Sequence, residues 1–247
     1  MPSLALPESL PQEVKDLLKP FAADVRAAFG DRLEAVILYG SAARGEYLPS
    51  RSNLNLLLVV SDHDIDGLRR YAKRHRRWAK DNVVAPLVLS SAEIEATAGS
   101  FPLEYLDIQQ THVLLQGHDP FATLTIPTDG LRRHCLVQLE THAIRTRQRL
   151  IEAAGKTEGE VLLLPLALTS LLPILRGALR AFGQVPPTRT EPLLAETDKT
   201  LGVPLVALNE VWRLKRGEIS PGPVEVPKLV RRYVSTIDAI TERMRRP

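Results

Sequence analysis

The chain has 247 residues, enough for one large domain or two modest ones, and its 44% hydrophobic and 25% charged residues are those of a globular protein. A net charge of +3 permits an anionic partner without demanding one. The single Cys135 excludes an internal disulfide and any multi-cysteine metal site, so a reducing, cytoplasmic setting is the expectation.

In chain order, "MPSLALPESLPQEVKDLL" has no basic start followed by an apolar core, so no signal peptide is expected. Residues 8–29 have helical period, with Val14, Leu17 and Leu18 on one stripe, a break expected at Pro20 and a stop at Gly30. "LEAVILYG" (33–40) predicts a strand that is apolar on both faces, as in a covered sheet. "NLNLLLVVS" (53–61) predicts a second, with Asn53 and Asn55 on one face because side chains alternate. A basic helix follows (66–80), then a third strand (82–90), helical "AEIEATAG" and "PLEYLDIQQTH", and a short strand (113–117).

After about Ile126 the strand signals stop. Residues 128–155, 158–183, 191–202, 203–217 and 225–246 all have helical period, and Gly155, Gly183, Gly202 and Gly217 stand where helix ends need a left-handed residue. The most apolar run, Val161 to Leu175, contains Pro165 and Pro173 and is too short to span a bilayer, so no membrane segment is expected. The pattern predicts an α/β domain over residues 1–126 and an all-helical domain over 127–247. No internal repeat is visible.

The informative stretch is "YGSAARGEYLPSRSNLNLLLVV" (39–60). A strand ending in Gly40-Ser41 and turning into a short helix presents backbone N–H groups, a hydroxyl and a helix dipole to an anion. Gly40 lets the backbone approach a phosphate, and Arg44, one turn on, has the fork to bond it bidentately. A turn with a capping serine and a solvated arginine is the competing reading of the same six residues.

The order of helix, strand, Gly40-Ser41-x-x-Arg44-Gly45, loop, and a second strand framed by Ser52, Leu54, Leu56 and Leu57 resembles the nucleotidyltransferase superfamily, which includes the DNA polymerase beta type, the kanamycin nucleotidyltransferases and the minimal nucleotidyltransferase antitoxins. The resemblance covers roughly residues 10 to 125, with "FPLEYLDIQQTHVLLQGHDPF" (101–121) similar to the end of the catalytic domain in bacterial relatives; the helical half is similar by position and period only. It implies a mixed-sheet domain followed by a helical bundle closing over its cleft. It also implies nucleotide or phosphate binding at Gly40, Ser41, Arg44 and Ser52, and two divalent ions held by an Asp-x-Asp pair and a third acid. In this chain the pair is Asn53 and Asn55, and the third position is Ala85, or Pro86 by a one-residue shift.

That departure predicts a degenerate member without two-metal transfer, which retains a nucleotide triphosphate or another phosphate as ligand. Two alternatives stay open: an active enzyme in which other acids recruit Mg²⁺, and a regulatory or antitoxin-like interaction module, with a homodimer as one form of partner. Candidate replacements are Glu46 and the cluster Asp62, Asp64 and Asp66 around His63, the cluster reading better as a helix cap. Glu140 is a weak candidate for a general base. The basic helix with Tyr71 and Trp78 has the residues of a single-stranded nucleic-acid surface, but a surface helix packing Leu68, Ala72, Ala79 and part of Trp78 on the sheet is the favoured reading. Arg145, Arg147 and Arg149 read as solvated. Arg176 and Arg180 read as facing a polyanion or pairing with local acids. Cys135 reads as a core residue.

Overall fold

The computed structural model describes residues 4–8, 10–153 and 155–246. Met1–Ser3 and Ser9, part of the stretch read for a signal segment, lie outside the described residues. The chain divides into two compact units, Met1–Phe101 with Tyr105–Pro127, and Pro102–Glu104 with Thr128–Pro247.

In the first unit α1 (Gln12–Phe29) leads into β1 (Leu33–Tyr39), and β2 (Asn55–Val60) is followed by α2 (Ile65–Lys80). Then come β3 (Leu87–Leu89), α3 (Ser91–Thr97), α4 (Pro102–Gln110), whose first three residues are grouped with the second unit, and β4 (His112–Gly117). The four strands form one mixed sheet in the order β3-β2-β1-β4, with β1 antiparallel to both neighbours and β2 parallel to β3. Both faces are covered. Val36, Leu38, Leu56, Leu58 and Val60 pack with Val14, Leu18, Phe21, Val25 and Phe29 of α1 and with Tyr71 and Trp78 of α2. Ala35, Ile37, Leu57 and Val59 pack on the other side with Ile94, Tyr105, Ile108 and Phe121. Continuous apolar strands therefore follow from burial on both faces, each fully buried Leu, Ile or Val contributing about 1.5–3 kcal/mol.

Three sequence expectations change. The helix does not break at Pro20 but runs through it, because residues on both sides of it, Val14 and Leu18 before and Phe21, Ala22 and Val25 after, bury one continuous face that outweighs the lost backbone bond. The second strand begins at Asn55, which leaves Asn53 exposed ahead of it. The third contracts to Leu87–Leu89 plus an isolated Leu54–Val83 bridge, since Pro86 has no N–H to give a ladder.

The second unit contains α5 (Leu131–Glu152), α6 (Thr157–Ala181), α7 (Thr190–Leu201), α8 (Val206–Arg216) and α9 (Glu225–Arg245). The positive φ of Gly155, Gly183, Gly202 and Gly217 matches the helix-end reading. α6 packs against each of the other four and buries Leu163, Leu164, Leu168, Leu171, Leu172 and Leu175. The apolar run read as too short to span a bilayer is part of this 25-residue helix, which continues through Pro165 and Pro173. By length and composition it suffices for a membrane span, and 61% of its apolar window is buried within the protein.

Candidate functional site

Sheet register brings the predicted positions together. Tyr39 pairs with Asn55, so Gly40, one residue beyond β1, lies beside the first residue of β2. Because β3 runs parallel to β2, Ala85, just ahead of β3, belongs to the same end of the sheet. Asn55 shares its face with Leu57 and Val59, by alternation, and these pack toward Ile94, Tyr105 and Phe121.

Gly40 has φ +80°, and a Cβ there would lie 2.6 Å from Asn55 Nδ2. The position favours glycine for its left-handed backbone, and the tip of the Asn55 side chain fills the space that a side chain there would take. After Ser41 the chain makes a single helical turn, not the short helix expected. Arg44 N donates to Gly40 O at 3.1 Å, then Glu46 N donates to Ser41 O at 2.8 Å and Gly45 N to Ala42 O at 3.2 Å. With Gly45 at φ +71°, these two bonds form a Schellman-type stop. A turn that ends so soon carries little of the dipole that a helix would aim at an anion.

Arg44 does not reach into solvent. Its Nη1 bonds Asp107 Oδ2 of α4 at 3.2 Å, with the two side chains 8% and 12% exposed, and its Nε is buried without a hydrogen bond. Ser52 is buried as well: its N–H donates to Leu48 O at 2.8 Å, and its Oγ accepts from Leu48 N at 3.0 Å. That reciprocal pair closes the loop between Leu48 and the second strand. Ser41 is half-buried, and Asn53 and Ala85 are exposed. Burial pushes the Tyr39 hydroxyl, at the end of β1, up to about 12, which keeps it neutral.

The other candidates have partners of their own. Asp64 caps α2, its Oδ1 accepting from Asp66 N at 3.0 Å, and its Oδ2 meets Arg70 at 2.9 Å and Arg32 at 3.3 Å. Those bonds and charges hold its carboxyl below the usual range against the opposing pull of desolvation. Glu140, in the second unit, accepts from Arg245 at 2.8 Å. Among the described residues no three His, Cys, Asp or Glu side chains form a group that could hold a metal ion. On α2 the aromatic residues face inward: Trp78 donates to Asp24 at 3.1 Å and meets Phe21 edge-on, while Ala72 and Ala79 are exposed. The favoured surface-helix reading holds for the basic residues and for Leu68 and Trp78, which pack on the core, but Tyr71 rather than Ala72 and Ala79 completes the apolar edge, because the larger ring gains more from burial than alanine does.

Neither the protein-family models nor the curated proteins yield a match. Among solved structures, the chain is similar to the spectinomycin adenyltransferase AAD(9) from Enterococcus faecialis, crystallised with ATP and spectinomycin, at a TM-score of 0.59. The superposition covers 94% of this chain and 99% of that one, at 12% identity. This chain has the nucleotidyltransferase fold.

Within that fold the acid bonded to Arg44 is Asp107, which sequence reasoning passed over. No local pattern links it to Arg44, and an acid in a helix of mixed polarity carries no signal of its own.

Proposed function

We propose that this nucleotidyltransferase-fold protein has lost two-metal nucleotidyl transfer and retains a nucleotide or another phosphate ligand at the Gly40–Ser41 turn. The observation that carries this reading is the sheet end itself. Asn55 abuts Gly40, Asn53 precedes it, and Ala85 lies ahead of the neighbouring strand, so amide and methyl groups occupy the positions where the resemblance expects carboxylates. Magnesium is a hard ion that needs anionic oxygens. One charge pair at about 4 Å is worth roughly 4 kcal/mol at an effective dielectric near 20, and each 1.4 kcal/mol is about tenfold in binding. Removing two or three such charges leaves little with which to hold two divalent ions against a triphosphate. The similar adenyltransferase was crystallised with ATP, which makes a nucleotide the first ligand to test.

The Arg44–Asp107 pair favours a second reading, an interaction module with no small ligand, since the arginine expected to meet a phosphate already has a carboxylate. Calorimetric titration of ATP and GTP, with and without Mg²⁺, separates the readings. The proposal expects saturable binding that is indifferent to Mg²⁺, and a gain in Mg²⁺ dependence in Asn53→Asp/Asn55→Asp/Ala85→Asp. No nucleotide binding together with a stable homodimer supports the module. Pyrophosphate release by the native chain at ordinary enzymatic rates overturns the loss of transfer.

A further inference from the structure

A second polar recess lies within the helical unit. Between α5 and α6 is a crevice of about 100 Å³, lined on one side by Gln138, His142, Arg145 and Arg149 and on the other by Ser170 and Ile174. It is far smaller than the roughly 300–1,000 Å³ that drug-sized ligands occupy, but it has room for a small ion. Gln138, Arg145 and Arg149 are spaced seven and four residues apart, which puts them on one face of α5. Among the described residues neither guanidinium has an ion-pair partner, whereas Arg147, between them in sequence, is bound to Asp238 at 3.1 Å.

The floor of the crevice is already satisfied internally. His142 Nε2 lies 3.1 Å from Tyr233 Oη and 3.5 Å from Thr146 Oγ1, and Nδ1 lies 3.4 Å from Ser170 Oγ. Ser170 donates to Ala167 O at 2.9 Å, and Thr141 donates to Val137 O at 2.8 Å. The donors left for a ligand are therefore the two guanidinium forks and the Gln138 amide. None of the lining residues is acidic. A recess with cationic planar donors, no competing carboxylate and a small volume selects a compact anion with several acceptor oxygens.

We propose that this crevice is a binding site for a tetrahedral oxyanion, a phosphate held between Arg145 and Arg149. It is separate from the Gly40–Ser41 turn and does not depend on nucleotide binding there. The test is calorimetric titration of inorganic phosphate into the full chain at low ionic strength, with sulfate and glycerol 3-phosphate as parallel arms to distinguish a free ion from a phosphoryl group. Saturable binding is expected, weakened about tenfold or more in Arg145→Gln/Arg149→Gln. Lys73→Gln/Arg76→Gln, which removes the same charge from exposed positions of α2, is expected to leave affinity unchanged. Phosphate is also expected to move the ring resonances of His142 in the native chain. Absence of saturable binding, an equal loss in the α2 control, or His142 resonances that stay still while phosphate binds would each overturn the assignment.

Discussion

Arg44 and Asp107 are 63 positions apart in the chain and meet at 3.2 Å, nearly out of contact with water. The pair ties the glycine-rich turn after β1 to α4, and it gives the arginine of the expected phosphate motif a fixed internal partner. Breaking a buried pair from one side leaves an uncompensated charge, so Asp107→Ala is expected to destabilise by about 3–5 kcal/mol. Arg44→Met/Asp107→Leu is expected to cost less than Asp107→Ala alone. Urea unfolding of Asp107→Ala, Arg44→Met, Asp107→Leu and the double variant measures this, and simple additivity of Arg44→Met and Asp107→Leu would count against the coupling.

The contact between Gly40 and Asn55 gives a second expectation. Gly40→Ala places a side chain at φ +80° and drives Cβ onto the Asn55 amide, at a cost of about 1–3 kcal/mol. Part of that cost is steric and should be recovered when Asn55→Ala is added. Gly45→Ala meets nothing within 4 Å and should show the backbone penalty alone. Thermal unfolding of these three variants and of Asn55→Ala alone separates the two contributions.

His142 makes stability depend on pH. Burial, with the Arg149 charge second, pulls the imidazole down to about 4. The groups facing it are Tyr233 of α9, Ser170 of α6, and Thr146, Arg145 and Arg149 of its own helix, and no carboxylate is among them. The folded value is below the unfolded one, so this stability is present above the ordinary histidine range near pH 6.5 and is lost as pH falls toward 4. It amounts to about 3 kcal/mol. His142→Gln is expected to flatten the dependence of unfolding free energy on pH between about 7 and 4.5. An unchanged slope would show that other groups govern it.

Cys135 lies on the inner face of α5, its Sγ close to the point that a Cβ on Gly177 would occupy. Burial pushes the thiol up to about 12, with Arg180 opposing. Alkylation by iodoacetamide near pH 8 is expected to be slow in the native chain and to match a free thiol in urea. Gly177→Ala, whose Cβ would collide with Leu103 Cδ2, is expected to cost about 1–3 kcal/mol by overpacking and to speed the native reaction.

The α/β half followed by an all-helical half was legible from hydrophobic period alone, because strands buried on both faces and helices with one buried stripe leave different spacings in the chain. Gly155, Gly183, Gly202 and Gly217 were legible as well, since a left-handed helix end favours glycine, whereas the left-handed turn at Gly40 and Gly45 came from the structure. The pairing of Arg44 with Asp107 was not legible, because an arginine aimed at a ligand and one aimed at an acid sixty residues away read alike. Nor was the crevice beside His142: Arg145, Arg147 and Arg149 look equivalent as letters, and only the neighbouring helices give Arg147 an acid and leave the other two facing a recess.

The amino-acid order by itself determined the alternation of elements, the glycine positions and the absence of carboxylates at residues 53, 55 and 85, all of them properties of single residues or short runs. Tertiary structure alone decided that Asn55 lies against Gly40, that Ser52 and Arg44 are consumed by internal bonds, and which arginines remain unpaired. Those are questions of partnership across the chain, and partnership is settled by packing and desolvation rather than by local propensity.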